Sequence, residues 1–464
     1  MDLDGYLDRI EPGRIAGWVR HRTDIGRRLT LDVYIGTRLI GTVLAANFRQ
    51  DLLDAGKGDG HCAFNFVPPQ PLRADEMEGL ILRVAGSAQM FTIGGRGLFQ
   101  LALPPNPAPQ AGARRFRRCI LHIGTEKTGS TTLQVFLQAN RDTLAQAGYF
   151  LPRSLVWPPD AEGCPCWAMV GYARDDGAYS DQVRQAAGVN DAASLADWRT
   201  RLAAAFAAEL AAAPAQCDTL LISSEHCHSR LVWPHEVAAV RQLLEPFCDS
   251  FEVVAYLRVQ HELAASAYGM FLRDGLSDVV MFPDYTRPRN DRSMPRNYFD
   301  YFAMLSRWAA VFGRERVQPV LFTPATLRNG DVVDDFLARI GAPAAGWTRP
   351  ARQNTTIPPA SHRFLQGMSR AMEGRPRAEI DRVRAWMIPR LEAVTAGRGA
   401  LPARGAVAAF MAQFAGRNEA LRQIWFPDRP ALFDDDLARF PEAPDPAADA
   451  PAEFYELLIA MVLA

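Results

Sequence analysis

Residues 119–134 read CILHIGTEKTGSTTLQ, and they leave the chain few local options. An apolar run (Cys119, Ile120, Leu121, Ile123) stops at Gly124. A short polar loop follows, and Gly129-Ser130-Thr131-Thr132 opens an amphipathic helical pattern carried by Leu133, Phe136 and Leu137. Strand, tight loop and helix start make the repeating unit of an α/β sheet. The first-turn N–H groups of such a helix have no internal partners, and the helix dipole adds partial positive charge, so the junction suits a phosphate. The nucleoside-triphosphate version of this loop needs Gly, four residues, then Gly-Lys-Ser/Thr. Gly124 and Gly129 keep that spacing, but Ser130 stands in the lysine position and the loop's one lysine, Lys127, lies inside it. Flanked by Thr125, Thr128, Ser130, Thr131 and Thr132, Lys127 is placed to act on a group leaving from a single phosphate.

The rest of the chain repeats the unit. Short apolar runs at 118–123, 218–223, 251–257 and 316–322 alternate with helical patterns at 130–146, 193–213, 234–247, 259–273, 296–312 and 331–340. Such alternation predicts a mostly parallel sheet flanked by helices, with ligands bound beyond the carboxyl ends of the strands. Residues 1–100 differ. Segments at 14–19, 29–35, 39–44, 61–67, 80–84 and 89–93 are short and strand-like, and several are separated by turns such as Gly56-Lys57-Gly58-Asp59-Gly60. They predict a small all-β sandwich acting as an accessory module. Residues 101–115 form a Pro/Ala-rich linker, 116–355 the α/β domain, and 356–464 a helical C-terminal extension packed on it and ending in the apolar Phe454–Leu463. Proline-rich residues 152–192, with Trp157 and Trp167, read as an irregular insertion able to act as a lid.

At 464 residues two or three domains are expected. The net charge of −1 gives no field to recruit nucleic acid, so no nucleic-acid partner is expected. The basic run Arg114-Arg115-Phe116-Arg117-Arg118 reads either as a steering patch for an anion or as a solvated linker end, and peripheral membrane contact is left open. No secretory signal and no membrane span are expected, and seven scattered cysteines fit reduced thiols, which together predict a cytoplasmic protein. Cys164-Pro165-Cys166 is too tight for a zinc pair and reads as a loop feature.

Two strand ends carry chemistry. The run DTLLIS (218–223) leads into Ser223-Ser224-Glu225-His226-Cys227-His228, which offers three candidate general bases: Glu225, His226 and His228. The run FEVVAYL (251–257) leads into Arg258, with Ser266 eight residues on, about two helical turns. Arginine suits bidentate phosphate recognition and serine adds a donor, so this is a second anion site. A nucleotide with phosphates at both ends of its ribose would use both sites.

At these residues the chain resembles the sulfotransferases that use 3′-phosphoadenosine 5′-phosphosulfate (PAPS), in particular bacterial proteins that modify polysaccharides. TEKTGSTT resembles the family's 5′-phosphosulfate loop, and Arg258 with Ser266 is similar to its 3′-phosphate motif in type and spacing. The resemblance spans about residues 117–355. It implies a P-loop-like α/β fold and an enzyme that moves a sulfuryl group to a hydroxyl or amine, with a carbohydrate as the expected acceptor. It also implies 3′-phosphoadenosine 5′-phosphate as product and no metal. Lys127 would stabilise the bridging oxygen as the sulfuryl group leaves, and Thr125, Thr128, Gly129, Ser130, Thr131 and Thr132 would hold the 5′-phosphate. Glu225 or His226 would take the acceptor proton. Arg349–Thr356 occupies the region where the family closes a loop over the nucleotide, which implies contacts from Arg352 and Asn354; the family's basic-glycine pattern is absent there. Gly17-Trp18 and the His61–Phe64 strand resemble sandwich domains attached to bacterial glycan-modifying enzymes. Arg273, Arg287, Arg289, Arg292 and Arg296 would suit an acidic sugar. Two other readings use part of the same residues: a P-loop kinase of small molecules, and a non-catalytic glycan-binding protein on the same fold.

Overall fold

The computed structural model describes residues 3–35, 38–73, 76–77, 80–85, 89–92, 95–99, 115–161, 163–174, 181–276, 278–287, 294–343, 345–350, 362–372, 374–394, 401–434 and 436–443. It is a mixed α/β structure. By internal contacts the chain divides into two compact units, one of residues 1–123, 140–255 and 302–318, the other of residues 124–139, 256–301 and 319–464.

The N-terminal residues form antiparallel strands β1 (Leu3–Glu11), β2 (Arg14–His21), β3 (Leu29–Ile35), β4 (Arg38–Ala45), β5 (Asn47–Phe48), β6 (His61–Phe66), β7 (Leu80–Val84), β8 (Met90–Thr92) and β9 (Gly95–Phe99). Their order is β4-β3-β7-β8-β9-β1-β2-β6-β5, with β1 and β9 joined through the single pair Tyr6↔Gly97. The outer members β4 and β6 come face to face: an added Cβ on Gly41 would lie 2.7 Å from the Phe66 ring. A core of Leu7, Ile15, Val19, Leu31, Val33, Phe64, Leu82 and Phe91 fills the interior. β1 lies outside the strand-like segments expected from sequence, which begin at residue 14. Leu3, Gly5 and Leu7 are the buried alternation, and glycine is needed at position 5 because a Cβ there would lie 2.7 Å from both Phe91 and the Trp18 carbonyl.

Residues 118–321 supply β10 (Arg118–His122), β11 (Tyr149–Phe150), β12 (Thr219–Ser223), β13 (Phe251–Leu257) and β14 (Val317–Leu321), in the order β11-β12-β10-β13-β14. β10 pairs in parallel with β12 (His122↔Ser223) and with β13 (His122↔Val254). Central parallel strands are covered on both faces, and Cys119, Ile120 and Leu121 are correspondingly buried. Helices fall close to the expected spans, with three differences, one being that the 234–247 segment is the helix Pro234–Leu244 followed by a 3₁₀ turn, Glu245–Phe247. The expected helix 130–146 is two, Ser130–Ala139 and Arg141–Gln146, separated by Asn140 at φ −110° and ψ 19°. The 296–312 segment starts as a 3₁₀ turn (Arg296–Tyr298) before the helix Tyr301–Phe312. The 152–192 segment is more regular than its prolines suggested, with helices Trp167–Ala173 and Gln182–Ala186. The C-terminal region carries helices His362–Ala371, Arg377–Val394, Arg404–Ala412 and Ala415–Trp425; Phe454–Leu463 and the linker lie outside the described residues. Among the described residues, no helix is long and apolar enough to cross a membrane.

Candidate active site

The second unit holds the loop and the arginine. Gly124 (φ 97°), Lys127 (φ 61°) and Gly129 (φ 77°) take left-handed backbone, which reverses the chain between β10 and the helix Ser130–Ala139. For a non-glycine residue such as Lys127 that conformation costs about 1–2 kcal/mol, so its surroundings must hold it. They do so at several points. The Thr125 N–H and hydroxyl both donate to the Tyr256 carbonyl at 2.9 Å, and the Thr128 hydroxyl donates to the Thr125 carbonyl at 2.6 Å. Each threonine therefore commits its one hydroxyl hydrogen to backbone, Thr125 to β13 and Thr128 to the loop itself. Beneath the loop, Tyr256 donates to Asp335 at 2.9 Å, and Val332 would lie 3.0 Å from a Cβ at Gly129, so the helix start sits directly on the helix Val332–Ile340. Ser130 is buried, Thr132 half-buried and Thr131 exposed in the first turn.

Arg258 leaves the end of β13 half-buried and faces the loop. Its Nη1 donates to the Lys127 carbonyl at 3.2 Å and its Nε to Glu262 at 3.0 Å. The buried Tyr301 hydroxyl donates to the Arg258 carbonyl at 2.6 Å. Ser266 is half-buried two turns along the helix Gln260–Arg273. Glu126, Glu262 and Arg439 at this site were not picked out from sequence. Glu126, a carboxylate inside the loop, is buried and accepts from the Tyr298 hydroxyl at 2.9 Å. Glu262 takes a second arginine, Arg439, whose Nη2 donates to its other oxygen at 3.0 Å. Burial pushes the Glu262 carboxyl up, but the two guanidiniums outweigh it and hold its pKa below the ordinary value. Arg349 pairs with Asp331 and Asp334 and lies 5.3 Å from the Phe136 ring centre. Arg352 and Asn354 lie outside the described residues, as do Arg289 and Arg292. Arg287 pairs with Asp284 at 3.2 Å, and Arg296 donates to the Gln413 carbonyl at 3.0 Å.

The first unit holds the base candidates. Ser223 ends β12 in register with His122, so Glu225 follows the strand that neighbours the one feeding the loop. Glu225 is half-buried at the start of a single turn, His226–Ser229, in which Cys227 and His228 are buried. The Ser224 N–H donates to the His122 carbonyl and the Cys166 N–H to the Ser223 carbonyl, each at 2.9 Å, which ties the 164–167 segment to this strand end. Cys164 and Cys166 are both buried, and burial pushes the Cys166 pKa up to about 12, in keeping with a loop role. Held by that segment, Trp167 stacks on Trp157 with centroids 5.8 Å apart and meets the His226 ring at 4.1 Å. The Arg230 guanidinium lies 5.9 Å from the Trp167 ring centre and pairs at 3.1 Å with Asp181, which also binds Arg174 at 2.8 Å. Burial raises the Asp181 carboxyl, but the two arginines and the Val183 N–H keep its pKa below the ordinary value. Trp157 and Trp167 were legible only as tryptophans in an insertion; nothing local in the sequence pairs them with His226.

Comparison with known proteins adds little. No family model matches the chain. No curated protein matches it either. Among solved structures, a sulfotransferase from Alicyclobacillus acidocaldarius aligns with 60% of this chain and 96% of its own, at 18% identity and a TM-score of 0.32. A likeness that distant carries no argument, so the chemistry rests on the side chains themselves.

Proposed function

We propose that this chain is a PAPS-dependent sulfotransferase that moves a sulfuryl group to a carbohydrate hydroxyl or amine. The observation that carries the reading is the 3.2 Å hydrogen bond from Arg258 to the Lys127 carbonyl. It joins the interior lysine of a phosphate loop to a second anion-binding arginine, as a donor with a phosphate at each end of its ribose requires. In this reading the N–H groups of Gly129, Ser130, Thr131 and Thr132 hold the 5′-phosphate, while Arg258 and Ser266 hold the 3′-phosphate. Thr125 and Thr128 shape the loop through their hydroxyls. The acceptor oxygen attacks sulfur as the bond from sulfur to the bridging phosphate oxygen breaks. Lys127 stabilises the charge that develops on that oxygen, and Glu225 takes the acceptor proton. His226, packed against Trp167, is the alternative base.

The indole pair Trp157–Trp167 supports a ring-bearing acceptor, because an aromatic face offers a flat apolar surface beside the polar groups of Arg230 and Asp181. The test has two parts. Calorimetry with 3′-phosphoadenosine 5′-phosphate should give saturable binding without added metal. Sulfur-labelled donor, offered with a panel of glycans and simple phenols, should label a glycan. No binding and no labelled product would sink the reading.

A further inference from the structure

The hydrogen bonds around Arg258 form a chain. Arg439 Nη2 donates to Glu262 Oε1 at 3.0 Å, Arg258 Nε donates to Glu262 Oε2 at 3.0 Å, and Arg258 Nη1 donates to the Lys127 carbonyl at 3.2 Å. All four residues belong to the same compact unit. The chain ends on the one loop residue that is not glycine yet holds left-handed backbone, Lys127 at φ 61°. Carboxylate–guanidinium hydrogen bonds are the stronger, geometrically specific kind. Of the five N–H hydrogens on Arg258, one goes to Glu262 and one to Lys127, so among the described residues the Nη2 edge stays available for an anion.

Arg439 is itself held in place. It ends the 3₁₀ turn Leu437–Arg439, which Asp436 caps by accepting the Ala438 N–H at 2.8 Å. Its guanidinium lies 5.0 Å from the Phe440 ring centre, and that ring packs edge-on against His261 at 5.3 Å. Arg404 secures the next residues by donating from Nε to the Phe440 carbonyl at 3.0 Å and from its N–H to the Pro441 carbonyl at 2.7 Å. Arg439 thus arrives on an anchored segment, 177 residues from the carboxylate it meets.

We propose that Glu262 and Arg439 are positioning residues for the transfer step. Through Arg258 they fix the backbone at Lys127, so the anchor for one end of the donor also sets the lysine that works at the other. This rests on the sulfuryl-transfer reading for its kinetic consequence but not for its structural one. A pure phosphate anchor would affect donor affinity alone. A relay that misplaces Lys127 lowers turnover, and a misplacement of about 1 Å can cost about a hundredfold.

The experiment uses the full chain with Glu262→Gln, Arg439→Ala and Arg439→Lys. Both side chains are partly exposed, which favours folded variants. Glu262→Gln and Arg439→Ala should lower kcat by about tenfold to a hundredfold, while affinity for 3′-phosphoadenosine 5′-phosphate falls by a smaller factor. Arg439→Lys should recover most of the loss, and the double variant should be no worse than Glu262→Gln alone. In the ligand-free protein, the amide resonance of Lys127 should move in both single variants. An unmoved Lys127 resonance, or a loss confined to affinity with kcat intact, overturns the relay. Absence of nucleotide binding by the unaltered protein counts instead against the sulfuryl-transfer reading, and the resonance test still decides the relay.

Discussion

Lys127 differs from the lysine of a triphosphate loop in position and in backbone, and both differences bear on what it does. It sits inside the loop, half-buried, on left-handed backbone held by Arg258. Its expected contribution is charge stabilisation on the leaving oxygen, an effect for which removing one donor typically costs about 10²–10³-fold in kcat. Lys127→Ala should lose turnover on that scale while 3′-phosphoadenosine 5′-phosphate still binds, measured by single-turnover kinetics and calorimetry on the same preparation. Turnover within a few-fold of the unaltered protein would remove Lys127 from the mechanism. A second residue-scale prediction concerns His122, buried at the end of β10 with Nδ1 2.8 Å from the Ser223 hydroxyl. Burial pushes its pKa down from 6.5 to about 3. The unfolded chain therefore binds this proton first as pH falls. The stability that the neutral ring contributes is complete above its ordinary pKa and drains away as pH drops toward 3, at no more than about 1.4 kcal/mol per pH unit. Urea unfolding at pH 7, 5.5 and 4 should show a steeper loss for the unaltered protein than for His122→Asn. Parallel slopes would mean that His122 is charged in the folded state.

At the scale of elements, what the sequence revealed and what it hid divide along a physical line. Strands at the centre of a parallel sheet are buried on both faces, so 118–123, 218–223 and 251–257 carry consecutive apolar residues such as Cys119-Ile120-Leu121, Leu220-Leu221-Ile222 and Val253-Val254-Ala255, and they form β10, β12 and β13. The two-residue β11 is too short to leave a pattern, and the buried alternation of β1 runs through Gly5, which packs against Phe91 but has no apolar side chain to signal a strand. The site divides in the same way. Glu262 could have been found, since it stands four residues after Arg258, the spacing that lets helical charges pair. Arg439 could not, because no local spacing reports a partner so far away. The tryptophan pair is the element-scale case with a functional consequence. Trp167 starts its helix where Cys166 is tied to the end of β12, and that places the indole against His226 in the turn after Glu225. If the pair receives the acceptor, Trp157→Ala and Trp167→Ala should raise KM for the glycan by about tenfold or more, the loss of roughly 1–3 kcal/mol for an aromatic ring contact, and leave donor affinity unchanged. A rise in donor Kd with acceptor KM intact would assign the indoles to packing.

At the scale of the whole molecule, the division into compact units does not follow the chain. Residues 124–139 and 256–301 belong to one unit, and with them go the loop around Lys127, Arg258, Glu262 and Ser266; Glu225, His226, Trp157 and Trp167 belong to the other. Donor recognition is therefore expected to be a property of one unit, and its thermodynamic trace should be local. A ligand that binds only the folded protein stabilises it by about 2.7 kcal/mol at a hundredfold excess over Kd. 3′-Phosphoadenosine 5′-phosphate should raise the melting temperature, and a nucleotide lacking the 3′-phosphate should do so less, because Arg258 and Ser266 lose their ligand. Hydrogen exchange locates the effect. With the bisphosphate, amides in 124–139 and 256–273 should slow. Those in the N-terminal strands β3 and β7, paired through Val33↔Leu82 and packed around their own core, should keep their rates. Protection that appears in β3 and β7 but not in the loop would place the nucleotide away from Lys127, and neither Arg258 nor Ser266 would then be its anchor.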